Sequence, residues 1–273
     1  MGCALLDAFA AGGTVVIPGA DTVVVIAHPD DETLGVGGQL ARLKGCGIIV
    51  VTDGAPRNTS YARRHGFENT EAYAQARRQE IIAAVGISGV PEKALTFLNV
   101  ADQEAAWHLV GITHSLVHFF AMRGTRFVIT HSYEGGHPDH DATAFAVNAA
   151  TQILSSCGQR IDVIEIPLYR MGSPGRLYQS FTQQPAGRQL KLILTGKQLE
   201  IKLQMIECHA TQQSSLCKFS WDTEQFRSAP RYDFTTLPNN RRLFYETRPW
   251  GMTANRWLML TSQAANQLGA RAA

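Results

Sequence analysis

Two short segments of the sequence combine imidazole and carboxylate side chains. The first reads AHPDDE at residues 27–32, and the second reads HSYEGGHPDH at residues 131–140. Histidines and carboxylates are the ligands of catalytic zinc, which takes three protein ligands and keeps a fourth position for water. Zinc lowers the pKa of that water to about 7, a spare carboxylate can take its proton, and a spare histidine can stabilise an oxyanion or protonate a leaving amine. The candidate groups are His28, Asp30, Asp31, Glu32, His137, Asp139 and His140.

Each segment directly follows an apolar stretch that favours a buried β-strand. Residues 22–27 read TVVVIA, and residues 126–130 read RFVIT. Continuous β-branched runs are typical of strands that are buried on both faces, as in parallel sheets. Further strands are predicted at 48–52, 95–98 and 161–166, and helices at 35–44, 71–85, 104–122 and 141–154. The alternation predicts an α/β fold with a Rossmann-like, doubly wound, mainly parallel sheet.

This sheet would bring the two segments together. In a Rossmann strand order, the first and fourth strands flank the switch point, where ligands bind outside the carboxyl ends of the strands. The segments would share that crevice, although about a hundred residues separate them in the chain. A single His-Pro-Asp turn is often only a loop with a local side-chain cap. Two such segments, each at a strand end, favour a metal or acid–base site.

The sequence divides into three parts by its pattern. Residues 1–21 are a predicted N-terminal extension, residues 22–170 a Rossmann-like catalytic core, and residues 171–273 a smaller C-terminal region packed on that core. The last part contains a predicted strand at 190–194 and a predicted helix at 196–209. Beyond residue 211 the chain is rich in aromatic side chains without clear periodicity. These favour a core or a subunit interface, with stacking on a sugar as the alternative.

The composition limits the classes of partner. The chain has 273 residues, a net charge of +2, 45% hydrophobic residues and 18% charged residues, which is ordinary globular composition. The balanced charge argues against nucleic acid or an anionic membrane surface as partner, and no apolar run approaches the ~20 residues that span a bilayer. The five cysteines are widely spaced and favour a cytoplasmic location. The sequence leaves open whether the protein forms a homo-oligomer.

The paired motifs AHPDDE and HPDH resemble those of the PIG-L / LmbE-like family of zinc-dependent de-N-acetylases. The resemblance extends over about residues 22–215 and includes Thr52-Asp53-Gly54, Arg77-Arg78-Gln79-Glu80, Lys202 and His209-Ala210-Thr211-Gln212. It implies a hydrolase that removes an N-acetyl or other N-acyl group from an amino sugar or its conjugate.

The resemblance also implies a role for each motif residue. The zinc ligands would be His28, Asp31 and His140, Asp30 would be the general base, and His137 would be the electrostatic or acid partner of the tetrahedral intermediate. Weaker candidates for substrate binding are Asp53, Arg78 and His131. A His/Asp site also accepts Fe²⁺ or Co²⁺. Some relatives carry a tyrosine two positions before the first histidine of HPDH, where this chain has Gly135 and where Tyr133 is out of register.

Two other functions are compatible with these motifs. The same site can serve a metal-dependent amidase that acts on a thiol or natural-product conjugate. A metal-binding or sugar-binding protein without turnover is the alternative from another class. Asp30 argues against the last, because a binding protein needs no base beside its metal.

Overall fold

The computed structural model describes residues 4–12, 17, 19–173, 175–182 and 188–269. In this part of the chain, a seven-stranded sheet lies between two layers of helices, and a two-stranded hairpin stands beside it. The strands are β1 (Thr22–Ile26), β2 (Gly47–Pro56), β3 (Leu95–Asp102), β4 (Phe127–His131), β5 (Asp162–Ile166), β6 (Tyr169–Gly172), β7 (Gly175–Tyr178), β8 (Gln189–Ile193) and β9 (Thr223–Ser228). The helices are α1 (Ala4–Ala10), α2 (Asp31–Leu40), α3 (Thr59–Arg64), α4 (Thr70–Ile87), α5 (Leu109–Arg123), α6 (Pro138–Ser156), α7 (Gly196–Cys208), α8 (Gln213–Leu216) and α9 (Ala254–Leu268).

The strand order of the central sheet is β3-β2-β1-β4-β5-β9-β8. The first five strands are parallel, β9 continues the sheet antiparallel to β5, and β8 pairs antiparallel with β9. The predicted Rossmann-like, mainly parallel sheet is therefore confirmed. Strands β1 and β4 are neighbours, with Val24 opposite Ile129, so the two polar segments leave the sheet side by side.

The apolar run of β1 is buried on both faces of the sheet. Val23 and Val25 point into one core with side chains of α5, α6 and α9, and Val24 and Ile26 point into a second core with side chains of α2, α4 and α7. A strand alternates its side chains between the two faces, so a strand covered by helices on both sides needs apolar residues at every position. This explains why TVVVI shows no alternation.

Helices α2 and α6 begin earlier than the sequence pattern predicted, at Asp31 and Pro138 instead of residues 35 and 141. Pro138 occupies the first turn of α6, where its missing N–H and fixed φ cost nothing. The ring Nδ1 of His137 accepts the N–H of Asp139 and caps the helix. The motif residues are therefore fixed by helix N-termini, which favour their carboxylates.

The C-terminal part of the chain completes the sheet and covers it. Strands β8 and β9 extend the sheet, α7 packs against α2 and α4, and α9 packs against α5 and α6. The strand and helix predicted at 190–194 and 196–209 are confirmed. The helix α9 had no predicted counterpart. No helix in the described ranges is long and apolar enough to cross a bilayer.

A fully buried ion pair joins α7 to β9 behind the site. Lys202 donates to a carboxylate oxygen of Glu224 at 3.0 Å and to the carbonyl of Leu34 at 2.8 Å. Glu224 accepts the N–H of Gly38 at 2.8 Å as well, so the pair also holds α2. Both side chains are fully buried.

We expect Lys202→Met to lower the free energy of unfolding by about 3–5 kcal/mol, because Glu224 would stay buried without its cation. Lys197 is the matched control, since it forms an exposed ion pair with Glu200 on the same helix. Lys197→Met should cost less than about 1 kcal/mol. Urea titrations of the three proteins measure both values. Equal effects of the two substitutions would show that the buried pair is not a special constraint.

Candidate metal centre

The side chains of His28, Asp31 and His140 converge at the ends of β1 and β4. The Nδ1 atom of His28 lies 3.2 Å from an oxygen of Asp31 and 3.2 Å from Nε2 of His140, and His140 Nε2 lies 3.5 Å from the other Asp31 oxygen. Tetrahedral zinc with bonds of about 2.0–2.2 Å places its ligand atoms about 3.3–3.6 Å apart. The three donor atoms therefore have the spacing of one face of a zinc tetrahedron.

Further donors surround this triangle. The described residues contain three overlapping sets whose donor atoms lie within 4.8 Å of one another, and all of them include His28 or His140. The sets are His28, His137 and His140; His28, Asp102, His137 and Asp139; and Asp31, His131 and His140. The cluster thus suits a metal ion chemically, although its geometry alone does not select zinc over another divalent ion.

The orientation of His28 is fixed from its far side. While Nδ1 faces Asp31 and His140, Nε2 lies 3.3 Å from oxygens of both Asp102 and Asp139. A carboxylate behind a metal-binding imidazole sets its tautomer and raises its basicity. Burial alone would lower the pKa of His28, but the surrounding carboxylates raise it well above its usual value. The site therefore favours positive charge at this point, which a metal ion would provide.

Asp30 stands beside the donor triangle without belonging to it. Its carboxylate accepts a hydrogen bond from the guanidinium of Arg77 at 3.2 Å and is only 8% exposed. Burial and the neighbouring Asp31 raise the pKa of Asp30 to about 7, against the lowering effect of Arg77. Its backbone, with φ 155° and ψ −21°, is in a region that residues with a side chain rarely occupy. Such geometry persists only where surrounding contacts hold it, and Arg77 also binds the carbonyl of Pro29.

His137 lies on the other side of the cluster. Its ring centre is 4.5 Å from that of His28 and 4.4 Å from that of Trp250. Because Nδ1 accepts the N–H of Asp139, the neutral ring carries its proton on Nε2, which lies 3.7 Å from Asp102. Burial and the positive charge of His28 lower the pKa of His137 well below its usual value. The ring is thus a neutral N–H donor next to the donor triangle.

The three substrate-binding candidates do not line the cavity at the cluster. His131 is fully buried behind the ligands, where it accepts the N–H of Ala27 and stacks on His140 at 4.2 Å. Asp53 accepts the backbone N–H groups of Ala55 and Asp102 and so joins β2 to β3. Arg78 stacks on the ring of Phe97. Their positions are those of supporting residues.

Of the two adjacent arginines Arg77 and Arg78, Arg77 is the one that reaches the site. It is 4% exposed and donates to the carbonyls of Gly54 and Pro29 as well as to Asp30. A weak signal for this exists in the sequence. Tyr73 and Arg77 are four residues apart, so they share one face of α4, and that face is buried. Neighbouring Arg78 is turned by about 100° around the helix and points elsewhere.

The HATQ segment at residues 209–212 supports the AHPDDE segment through buried polar contacts. His209 is fully buried, with Nε2 3.1 Å from the hydroxyl of Thr33 and 3.3 Å from Glu32. The other oxygen of Glu32 accepts the N–H of Asp30. Thr211 donates two hydrogen bonds to Glu80 on α4. The segment therefore connects α2, α4 and the turn that carries Asp30.

A cavity of about 340 Å³ opens over the cluster. A second cavity of about 540 Å³ adjoins it and shares Asp102, Gln103 and Trp250 with it. Tyr133 is outside both, because its hydroxyl is bound to Thr236 and Trp257 in the core. Several lining residues were not predicted from the sequence, namely Tyr61, Arg77, Asp102, Gln103, Tyr169, Arg176, Lys218, Arg248 and Trp250.

Comparison with known proteins agrees with this geometry. Residues 23–151 match the model of the PIG-L family, described as GlcNAc-PI de-N-acetylase. This part of the chain is therefore similar to a PIG-L family domain. The matched range contains both polar segments and therefore every residue of the donor triangle. The resemblance noted from the paired motifs is confirmed.

Solved structures share the fold at low sequence identity. The A40926 pseudoaglycone deacetylase Dbv21 aligns with a TM-score of 0.61 and 20% identity over 78% of this chain and 98% of its own. The zinc-inhibited form of the teicoplanin deacetylase Orf2 aligns with a TM-score of 0.55 and 17% identity over 78% and 99%. The N,N'-diacetylchitobiose deacetylase from Pyrococcus horikoshii, complexed with its inhibitor, gives 0.51 and 20% over 77% and 84%.

We expect Arg77→Met to lower the free energy of unfolding by about 3–5 kcal/mol, because Asp30 would lose its buried cation and two carbonyls would lose their donor. Arg78→Met is the matched control on the next residue. It removes only the contact with Phe97 and should cost about 0.5–1 kcal/mol. Chemical denaturation of both metal-free variants measures the difference. A larger effect of Arg78→Met would contradict the assignment of the buried arginine.

Proposed function

We propose that this protein is a zinc-dependent N-deacetylase that hydrolyses the N-acyl group of an amino sugar or amino-sugar conjugate. The observation that carries the proposal is the triangle of His28, Asp31 and His140 with Asp30 beside it, at the floor of a cavity in a domain similar to the PIG-L family. The fold shared with deacetylases supports it. When bound by these ligands, zinc would act as a Lewis acid and lower the pKa of water at this point.

Asp30 is the proposed general base. A general base works best when its pKa lies near the working pH, and burial moves the pKa of Asp30 to about 7. Its carboxylate would take the proton of the attacking water and pass it to the departing nitrogen. Arg77 prevents the carboxylate from turning away, because it holds both the side chain of Asp30 and the preceding carbonyl.

His137 is the proposed stabiliser of the oxyanion. Its neutral ring has a defined N–H on Nε2, and both the helix cap and Trp250 fix its orientation. A preorganised donor of this kind stabilises charge that develops on the carbonyl oxygen without having to reorient during the reaction. Tyr169 also lines the cavity, edge-on to His140 at 5.5 Å, and offers a further hydroxyl near the reacting amide.

The cavities favour a conjugate as substrate. The first cavity, about 340 Å³, has aromatic walls from Tyr61, Tyr169 and Trp250 that suit a sugar ring. The adjoining cavity of about 540 Å³ gives room for a second substituent on that ring. We propose a small-molecule substrate of this kind and a cytoplasmic enzyme, with no part played by nucleic acid.

The test is acetate release from a panel of N-acetylated amino sugars by zinc-loaded protein, with a chelated sample as the reference. We expect release that stops on chelation and returns with added zinc. Asp30→Asn should keep bound metal and lose at least about a hundredfold in kcat, because a general base contributes 10²–10⁴-fold. His140→Ala should lose the metal itself. Metal content is measured on the same samples by elemental analysis.

Asp53→Asn provides the matched control, because this carboxylate joins two strands without reaching the donor triangle. It should retain metal and most of the turnover. Wild-type rates in Asp30→Asn would remove Asp30 as the base. Stoichiometric bound zinc with no release from any amide would instead favour a binding protein without turnover.

A further inference from the structure

Three basic side chains line the cavity of the metal centre away from its floor. They are Arg176, Lys218 and Arg248, which together are called the cationic rim below. The ion pairs that arginines and lysines form in the described part of the chain involve other residues. Among the residues that the structure describes, none therefore supplies a carboxylate within 4.0 Å of the basic groups of the cationic rim.

Two of these cations share one aromatic ring. The guanidinium carbon of Arg176 lies 4.0 Å from the ring centre of Phe244, and that of Arg248 lies 4.8 Å from the same centre. Two positive groups on one ring repel each other, and a neighbouring carboxylate would normally relieve this. The described residues supply no such carboxylate. An anion bound by the two guanidinium groups would therefore relieve their repulsion.

Arg176 is the most firmly held member of the rim. It is half-buried on β7, lies 5.0 Å above the ring of Tyr169, and donates one N–H to the hydroxyl of Tyr178 at 3.1 Å. The aromatic contacts fix the plane of the guanidinium, while its remaining N–H groups have no acceptor among the described residues. Such a fixed fork matches the two oxygens of a carboxylate or phosphate.

The charge of the whole cavity points the same way. Its lining has three carboxylates, from Asp30, Asp31 and Asp102, and four cations, from Arg77 and the rim. Asp30 is paired with Arg77, and a divalent ion would offset the other two carboxylates. The positive charge of the rim would then remain unbalanced, and it would attract an anionic substrate to the cavity.

We propose that the cationic rim binds an anionic group, a carboxylate or a phosphate, on the amino sugar whose N-acyl group is cleaved. This deepens the proposed deacetylase function and rests on it. Tyr169 lies between the two ends of the cavity, with its ring 5.5 Å from that of His140 and in contact with Arg176. The anion would therefore be bound about one sugar ring away from the reacting amide.

The test compares neutral and anionic substrates that carry the same amide. N-acetylglucosamine is the neutral probe, N-acetylglucosamine 6-phosphate and N-acetylglucosamine 1-phosphate supply a phosphate at two positions, and N-acetylmuramic acid supplies a carboxylate. We expect at least one anionic probe to exceed the neutral one about tenfold or more in kcat/KM, the value of one charge-assisted hydrogen bond. Added salt should reduce that advantage, because screening weakens exposed charges.

Variants then assign the effect to the rim. Arg176→Gln and Arg248→Gln should each lower kcat/KM for the anionic probes, through a higher KM, by a larger factor than for N-acetylglucosamine. Arg176→Lys should restore part of this loss, since it keeps the charge and loses the fork. Lys93→Gln is the matched control, because Lys93 is exposed and outside the cavity lining. Arg248 is exposed, so its variant tests the rim even if Arg176→Gln fails to fold.

A binding measurement separates the proposal of the cationic rim from the proposed deacetylase function. The ligands are glucosamine 6-phosphate, glucosamine 1-phosphate, muramic acid and glucosamine, the last without an anionic group. Calorimetry of their binding to zinc-loaded protein needs no turnover. Binding of an anionic amine that Arg248→Gln weakens and Lys93→Gln leaves intact would uphold the rim even if no amide is hydrolysed. Equal kcat/KM for neutral and anionic substrates would overturn the rim while leaving the deacetylase function intact. Equal loss in the rim variants and in Lys93→Gln would also overturn it.

Discussion

The structure depends on the burial of several imidazoles and carboxylates at the ends of two neighbouring strands, where their donor atoms form overlapping sets within 4.8 Å. His28, Asp31 and His140 bring their donor atoms to 3.2–3.5 Å, and Asp102 and Asp139 stand directly behind. Buried charges of this density are stable only when they are paired or bind a cation. The fold meets the first condition with histidines, and a metal ion would meet the second. The buried polar residues around the cluster hold these groups in place.

The supporting layer works through polar side chains that are themselves fully buried. Arg77 holds the turn that carries Asp30, the pair of Lys202 and Glu224 fixes α2, and His209 anchors Glu32 from below. Each of these groups bonds backbone atoms or the carboxylate of a motif residue. A hydrogen-bonded network of this kind fixes one geometry more strictly than apolar packing, because an unsatisfied buried polar atom is costly. This is why Lys202 and His209 matter to a site whose cavity they do not line.

The sequence predicted what local pattern determines. The buried runs of β1 and β4, their adjacency and the donor residues that follow them were readable, since periodicity and motif spacing are properties of short segments. The starts of α2 and α6 were not: the side chain of His137 caps α6, and α2 begins directly after Asp30, whose side chain caps no backbone N–H. Arg77 and Arg78 are identical in type, and only packing decides which one faces the site. Asp102 ends a strand that extends four residues beyond the predicted 95–98.

The residues furthest from prediction are those of the cavity wall. Tyr169 and Arg176 are in contact on the two-stranded hairpin. Phe244 begins a short 3-10 helix, and Trp250 follows it in an irregular segment. Phe244 contacts Arg176 and Trp250 contacts His137, and the partners of each pair are far apart in the sequence, so no local signal marks these contacts. The floor of the cavity is built from motif residues, while much of the wall is built from these connecting segments. A fold that fixes the reaction at strand ends and recruits its wall from loops can change its substrate without changing its chemistry.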